Sequence, residues 1–189
     1  MVLLIGKGDS VSGIQANNAD NGFLRRNPQN LGGIRIGFHR TGGKQIYTMD
    51  FQNDAEYVGG CIAGGRRYFH INANGDMDPC VFIHYSDSNI REKTILEGLR
   101  SPLFQAYHDG QPFNNNMFQP CPMLENPHKL RDMIEKTGAK STDLQSPESA
   151  EHLCGKCDHY AECWQGKAEQ LWDEIPEERK AYVLEHNTK

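Results

Sequence analysis

Six cysteines are the residues of this 189-residue chain with the clearest capacity for chemistry. Three are widely spaced in the sequence, Cys61, Cys80 and Cys121. The other three are close together, Cys154, Cys157 and Cys163. Thiolates bind zinc and iron–sulfur clusters, and cysteines of reduced compartments are more often metal ligands or redox groups than disulfide partners. The cysteines therefore predict at least one metal centre.

The stretch from Cys61 to Cys80 is typical of a β-hairpin. Polar and apolar side chains alternate over residues 68–73, Asn74-Gly75 favours a tight type I′ turn, and residues 77–83 would form the returning strand. Folding back at the turn brings the two thiols together despite the eighteen residues between them. The alternative is a hairpin with two unrelated buried thiols. Four glycines around Cys61 suit close approach of the backbone to a bulky inorganic group, and these are Gly59, Gly60, Gly64 and Gly65.

The second group lies in a segment that predicts helices. Ser146-Pro147-Glu148 would open one helix that runs into Cys154-x-x-Cys157, and residues 161–173 would continue as the next. Two sulfurs on a turn between them can hold one metal, with Cys163 as a third ligand. A thioredoxin-type redox pair is disfavoured, because no strand of a βαβ unit precedes the motif.

The remaining elements predict an α+β chain, with a small hairpin-centred metal domain followed by short helices and preceded by a loop-rich segment. Residues 1–45 hold nine of the nineteen glycines, and residues 46–51 favour a strand. One helix is expected from residues 86–88 to about Arg100, with Ile95, Leu96 and Leu99 on one face. Three more are expected, over Leu103–His108 up to Gly110, from Asn126-Pro127 to Gly138, and after Pro176.

Charge and hydropathy exclude several functions. The net charge is −5, without the basic face that binds nucleic acid. The apolar run Val2–Ile5 is too short for a signal peptide or a membrane span, so a cytoplasmic protein is expected. No nucleophile–base arrangement or carboxylate pair predicts catalytic residues. Polar side chains that could lie near a metal centre are Arg66, Arg67, His70, His84 and His108, with a solvated surface as the alternative for each.

The spacing Cys61-x13-Gly75-x4-Cys80, followed by Cys154-x2-Cys157-x5-Cys163, resembles the SPASM domain. That domain is the C-terminal extension of many radical SAM enzymes and binds auxiliary [4Fe–4S] clusters. Similarity to the C-terminal region of such proteins covers roughly residues 46–145. The resemblance implies one or two [4Fe–4S] clusters that transfer electrons or anchor a substrate, either a peptide or a small molecule.

The sequence departs from the family pattern in its ligands. Lys167 stands where the pattern has a further cysteine, and the last family cysteine has no counterpart. Two fully thiolate-bound [4Fe–4S] clusters need eight cysteines, and the chain has six. One complete cluster with a spare pair, or two clusters with open or non-cysteine ligands, would both fit. Cys121 is either an additional ligand beside Cys61 and Cys80 or an ordinary buried thiol.

The Cys-x-x-x-Cys-x-x-Cys triplet that binds the S-adenosylmethionine-cleaving cluster of this family does not occur. The resemblance therefore implies that a radical SAM barrel, elsewhere in a longer protein or on a partner chain, binds this cofactor. We expect three segments, a leader or barrel remnant at 1–45, a cysteine hairpin domain at 46–125 and a helical part at 126–189. The alternative function is a stand-alone structural zinc or protein-interaction module.

Overall fold

The computed structural model describes residues 2–4, 55 and 59–187. In this part of the chain, two small antiparallel sheets are followed mainly by helices, which confirms the α+β prediction. The strands are β1 Val2–Leu4, β2 Tyr68–Ile71, β3 Met77–Asp78, β4 Tyr85–Ser86 and β5 Lys140–Ser141. The helices are α1 Ile95–Leu99, α2 Pro102–Asp109, α3 Pro127–Thr137, α4 Ala150–Asp173 and α5 Glu177–Asn187. The predicted strand at 46–51 and nearly all of the loop-rich segment 1–45 lie outside the described residues.

The first sheet has the order β1-β2-β3, and β2 is its central strand. The hairpin of β2 and β3 is confirmed, with Ile71 opposite Met77 and His70 opposite Asp78. The connection is longer than the predicted two-residue turn. Asn72 organises it, because its side-chain oxygen accepts hydrogen bonds from the amides of Asn74 and Asp76.

The returning strand ends earlier than the sequence predicted. It stops at Asp78, since Pro79 has no amide hydrogen to donate to the ladder. The chain turns at once after Cys80, whose carbonyl accepts a hydrogen bond from the Ile83 amide at 3.1 Å. A strand through Ile83 was therefore wrong, and Cys80 lies in a turn at the end of the hairpin.

The predicted start of the first helix, at residues 86–88, was also wrong, because the helix begins at Ile95. Thr94 caps α1, in a capping box with Glu97, and this signal outcompetes the earlier polar residues. Ser86 instead donates its hydroxyl to the Met77 carbonyl at 2.6 Å, and so joins β4 to the hairpin. The apolar face expected on α1 is mostly exposed, with Ile95 at 41% and Leu96 at 65% of their full accessibility.

The next two helices follow their sequence signals. Ser101 and Gly110 flank α2, close to the predicted bounds. Asn126 precedes α3 with proline at its first turn, and Gly138 ends it in the left-handed conformation with φ of 68°. The buried side chains of α3 are those predicted, Leu130, Met133 and Ile134.

The C-terminal helices differ from the prediction in one respect. Two helices flanking a cysteine turn were expected, but α4 is a single helix of 24 residues that begins after the cap Ser149. The terminal helix α5 starts after Pro176, as predicted. No helix in the described ranges is long and apolar enough to cross a bilayer.

The main buried cluster joins the hairpin region to the later helices. It runs from Ile62 and Tyr68 through Tyr107 of α2 to Leu130 of α3 and Cys154 of α4. Aromatic pairs stiffen it, as Tyr107 meets Phe113 edge to face with ring centres 4.8 Å apart. Residues on both sides of position 125 therefore share one core, which fixes the cysteine-bearing segments relative to each other.

Candidate metal centre

Cys61 lies in a tight loop immediately before β2. Arg66 holds this loop, because its guanidinium donates to the carbonyls of Gly59 at 2.8 Å and Cys61 at 3.0 Å. The Cys61 sulfur is half-buried and lies 3.1 Å from the Tyr107 hydroxyl. A long-range contact from α2 thus positions the first thiol.

Gly64 is required for that contact. Its φ is +67°, and a Cβ atom there would lie 2.1 Å from Cδ1 of Tyr107. No side chain larger than hydrogen fits between the loop and the tyrosine ring. This glycine was predicted to make room for an inorganic group, but its nearest neighbour is the tyrosine that contacts Cys61.

Cys80 lies beside the same loop. The Gly64 amide donates to the Pro79 carbonyl at 2.9 Å and joins the two cysteine segments by a backbone hydrogen bond. The Cys80 sulfur is buried and lies 2.9 Å from the hydroxyl of Tyr68 on β2. The hairpin therefore brings both cysteines to one end, as the alternation and Asn-Gly signals predicted.

Cys121 approaches from the long loop between α2 and α3. The Asn126 side chain donates to the Gln119 and Cys121 carbonyls at 2.8 and 3.0 Å. The Glu125 carboxylate accepts from the Cys121 amide at 2.7 Å. The Leu124 amide points at the Cys121 sulfur, 3.4 Å away, and is a donor to it. Four polar contacts thus hold this backbone in place.

Charge on the three cysteines affects two tyrosine hydroxyls. Burial raises the pKa of the Tyr68 hydroxyl, and charge on Cys80, Cys61 and Cys121 raises it further. The pKa of Tyr107 is raised by burial and by the same three cysteines. Each hydroxyl is therefore within electrostatic range of all three sulfurs, although they come from three separate segments.

The thiols themselves are poor acids in this environment. Burial raises the pKa of Cys61 to about 11 and raises the pKa values of Cys80 and Cys121. Without a cation, all three are protonated at neutral pH. A bound metal would supply the positive charge that stabilises thiolates, because coordination deprotonates a thiol.

The other group is arranged differently. Cys154 is fully buried, Cys157 is half-buried, and Cys163 is exposed beside His159, with its sulfur 3.6 Å from Nε2. All lie on continuous α4, where the nine positions from Cys154 to Cys163 span about two and a half turns. Cys154 and Cys157 are neighbours, but Cys163 lies on the opposite side of the helix from Cys154. The assignment of these three as metal ligands stays a prediction.

Of the other polar candidates, Arg66 braces the Cys61 loop and Arg67 is exposed. His70 lies 3.3 Å from the buried carboxylate of Asp78. His84 and His108 are both exposed. A ring nitrogen of His84 contacts the Val81 carbonyl, and a ring nitrogen of His108 contacts the Asp109 carboxylate. Of these side chains, Arg66 also acts on a thiol, because its positive charge lowers the pKa of Cys61 and offsets part of the effect of burial.

Three contributors to the site were missed by sequence reasoning. Tyr68 was counted only in the strand alternation, and Tyr107 and Glu125 were not considered. The position of Tyr68 in a predicted strand could have indicated its role, because the hydroxyl of a buried tyrosine usually has a hydrogen-bond partner. No local pattern identified Tyr107 or Glu125, because their contacts depend on the packing of α2 and of the loop before α3.

The three thiols of this region lie on separate segments and not in one compact group. Among the described residues, no three Cys, His, Asp or Glu side chains are grouped closely enough to hold one metal ion. The iron atoms of a cluster are spread apart, so its thiolates need not meet at a point. A tyrosine hydroxyl lies beside the Cys61 sulfur, another beside the Cys80 sulfur, and the Leu124 amide donates to the Cys121 sulfur.

Comparison with protein families agrees with this geometry. Residues 61–123 match the model of the SPASM family, an iron-sulfur cluster-binding domain. The match begins at Cys61 and also contains Cys80 and Cys121, whereas the cysteines of α4 lie outside it. Searches of curated proteins and of solved structures found no match. The chain thus contains a SPASM-like iron–sulfur cluster-binding domain, as the cysteine spacing predicted.

Proposed function

We propose that Cys61, Cys80 and Cys121 hold an auxiliary [4Fe–4S] cluster, and that this chain serves a radical SAM enzyme. The observation that carries the proposal is the placement of Cys61 against the Tyr107 hydroxyl and of Cys80 against the Tyr68 hydroxyl at one end of the hairpin. Charge on Cys121 raises the pKa of both hydroxyls, which supports its inclusion. The family match over the same residues supports it.

The residues of the site suggest how such a cluster would be held. Three thiolates leave the fourth iron without a cysteine from this group. Hydroxyl donors from Tyr68 and Tyr107 would share the negative charge on sulfur, and the Leu124 amide would do the same at Cys121. A bound [4Fe–4S] cluster supplies one-electron chemistry, or a Lewis-acidic iron that binds a substrate.

The barrel that binds S-adenosylmethionine would come from elsewhere in a longer protein or from a partner chain. We therefore propose that the described domain does not cleave the cofactor by itself. Its role would be electron transfer or anchoring of a peptide or small-molecule substrate. Cytoplasmic location belongs to the same proposal, because open [4Fe–4S] clusters need a reduced environment.

The ligand assignment predicted for Cys154, Cys157 and Cys163 also remains a proposal. The first two are three residues apart on α4 and can contribute to one site. Cys163 could join them only if the helix were interrupted, because it lies six positions after Cys157, about 9 Å further along the helix axis. A second cluster with all three would therefore require a local change in α4.

Iron and acid-labile sulfide in the anaerobically reconstituted chain test the proposal. We expect about four iron and four sulfide per site, a brown protein, and an electron paramagnetic resonance signal after dithionite reduction. Cys61→Ala should lose most of this iron, and Gly166→Ala, where a Cβ meets nothing within 4 Å, is the control that should keep it. Stoichiometric zinc without sulfide in the wild-type chain would contradict the proposal and favour the structural zinc module.

A further inference from the structure

Two side chains of α4 that can bind metals are not used by the candidate metal centre, and these are His159 and Cys163. Both are exposed to solvent. Residues four apart on a helix are neighbours on its surface, with about 5–6 Å between their Cβ atoms. The helix itself therefore holds an imidazole and a thiol side by side.

The Cys163 sulfur and the His159 ring are separated by the distance expected for two ligands of one tetrahedral ion. Zinc binds thiolate sulfur at about 2.3 Å and imidazole nitrogen at about 2.0–2.1 Å, so a tetrahedral angle places the two ligand atoms about 3.6 Å apart. The Cys163 sulfur lies 3.6 Å from His159 Nε2. One ion can therefore bind between these atoms without a change in the backbone of α4.

Neither side chain has another polar partner that a metal would have to displace. Among the described residues, the polar contacts of His159 and Cys163 are only those to each other, at 3.6 Å from sulfur to Nε2 and 3.8 Å to Nδ1. Because the sulfur lies at similar distances from both nitrogens, the ring has to turn to aim Nε2 at a shared ion. That rotation disturbs no buried packing, since the ring is exposed.

The chemistry of the two ligands defines the class of metal. A thiolate with an imidazole suits zinc and the neighbouring first-row divalent ions, whereas magnesium and calcium prefer oxygen ligands. No third Cys, His, Asp or Glu of the described chain joins the pair. Two positions of a tetrahedral ion are therefore left for water or an external ligand.

Position on α4 separates the pair from the other cysteines. Cys163 lies six positions after Cys157 and on the opposite side of the helix from Cys154, so neither of these thiols can share an ion with it while the helix is continuous. The family match ends at residue 123 and does not include α4. A metal at His159 and Cys163 therefore does not use the ligands of the proposed cluster.

We propose that His159 Nε2 and the Cys163 thiolate chelate one divalent ion of the zinc class on the exposed face of α4. The ion replaces the thiol proton of Cys163, which is released to solvent, so the affinity for the metal depends on pH. The bound ion joins two successive turns of α4 and stabilises the folded helix by mass action.

Cobalt(II) titration of the full, anaerobically reconstituted chain tests the proposal, because a cobalt–thiolate bond gives an intense charge-transfer absorption. Difference spectra against the cobalt-free protein remove the contribution of any cluster. His159→Ala should bind cobalt at this site at least about ten-fold more weakly than the wild type, since loss of an outer-shell partner alone lowers metal affinity about 10–100-fold. Zinc should displace the cobalt. Equal cobalt affinity of the wild type and His159→Ala would overturn the proposal.

Two further variants separate chelation from the mere presence of the ligand types. His152→Ala removes another exposed histidine of α4, which has Lys156 instead of a thiol four positions later, and should leave cobalt affinity unchanged.

The double variant His159→Ala/Gln165→His returns an imidazole to an exposed position of α4, two residues after Cys163, where the two side chains do not face each other. It should bind cobalt as weakly as His159→Ala, and circular dichroism checks that α4 remains helical. Wild-type affinity in this double variant would show that the i, i+4 spacing is not required and would refute the chelate.

Discussion

The two cysteine groups of this chain contain three thiols each and differ in how the fold presents them. Cys61, Cys80 and Cys121 come from segments far apart in sequence, and packing places Cys61 against the Tyr107 hydroxyl and Cys80 against the Tyr68 hydroxyl. The cysteines of α4 are close in sequence, yet a continuous helix separates them in depth, from fully buried to exposed. Close spacing in sequence is therefore a weaker indicator of a shared site than a turn or hairpin that forces convergence.

The difference lies in the backbone. Positive φ at Gly64, the proline before Cys80 and the hydrogen-bonded loop around Cys121 hold the first group on irregular chain. Irregular backbone lets side chains from separate segments approach one another. A helix fixes the direction of each side chain by its position, so residues six or nine apart on α4 point to different sides.

The largest expected effect is at Cys80. Cys80→Ala should remove most of the iron and destabilise the hairpin end, because metal binding and folding are coupled at such a site. Iron analysis and thermal unfolding of the reconstituted variant measure both. If Cys80→Ala kept the iron content of the wild type, Cys80 would not be a ligand. The contrast between the first cysteine group and the cysteines of α4 would then not hold.

The next effect compares two glycines. Gly64→Ala should destabilise the chain by about 3 kcal/mol or more, since its Cβ would overlap Tyr107 and its φ is unfavourable for alanine. Gly166→Ala is the matched control on α4, where a Cβ meets nothing within 4 Å. That change should stabilise the helix by about 0.5–1 kcal/mol. Urea unfolding midpoints measure both, and equal effects of the same sign would contradict the account.

The sequence predicted those parts of the fold that local signals determine. Alternation and Asn-Gly located the hairpin, and Asn126-Pro127 with Gly138 bounded α3. It failed where two local signals competed, as when Thr94 rather than Ser86 began α1. The Cys-x-x-Cys motif suggested a turn because such pairs are often in turns, but α4 continues through Gly155. The contacts of Tyr107 and Glu125 depend on tertiary packing and had no local signature.

A smaller effect is expected within the second group. Cys154→Ala should cost about 1 kcal/mol, because Cys154 is fully buried and its removal leaves a cavity, whereas Cys163→Ala should change stability by less than about 0.5 kcal/mol. Thermal unfolding of the metal-free chain measures this difference without any contribution from a cluster. Equal costs would show that burial along α4 is not as described.

The smallest effect concerns the hydroxyl at Cys80. Tyr68→Phe should retain iron and lower the reduction potential by roughly 40 mV, because a hydrogen bond of about 1 kcal/mol to sulfur is lost on a one-electron couple. Redox titration followed by electron paramagnetic resonance gives the value. Tyr182→Phe is the control, since Tyr182 lies on α5, is 51% exposed and has Arg179 over its ring. An unchanged potential in Tyr68→Phe would mean that this hydroxyl does not face the cluster.

The central claim is that Cys61, Cys80 and Cys121 suffice to hold a cluster without the cysteines of α4. Iron and sulfide analysis of the anaerobically reconstituted triple variant Cys154→Ala/Cys157→Ala/Cys163→Ala tests it most directly. The account predicts a brown protein that keeps at least one cluster, about four iron and four sulfide per chain. A folded triple variant that is colourless and free of iron would contradict it.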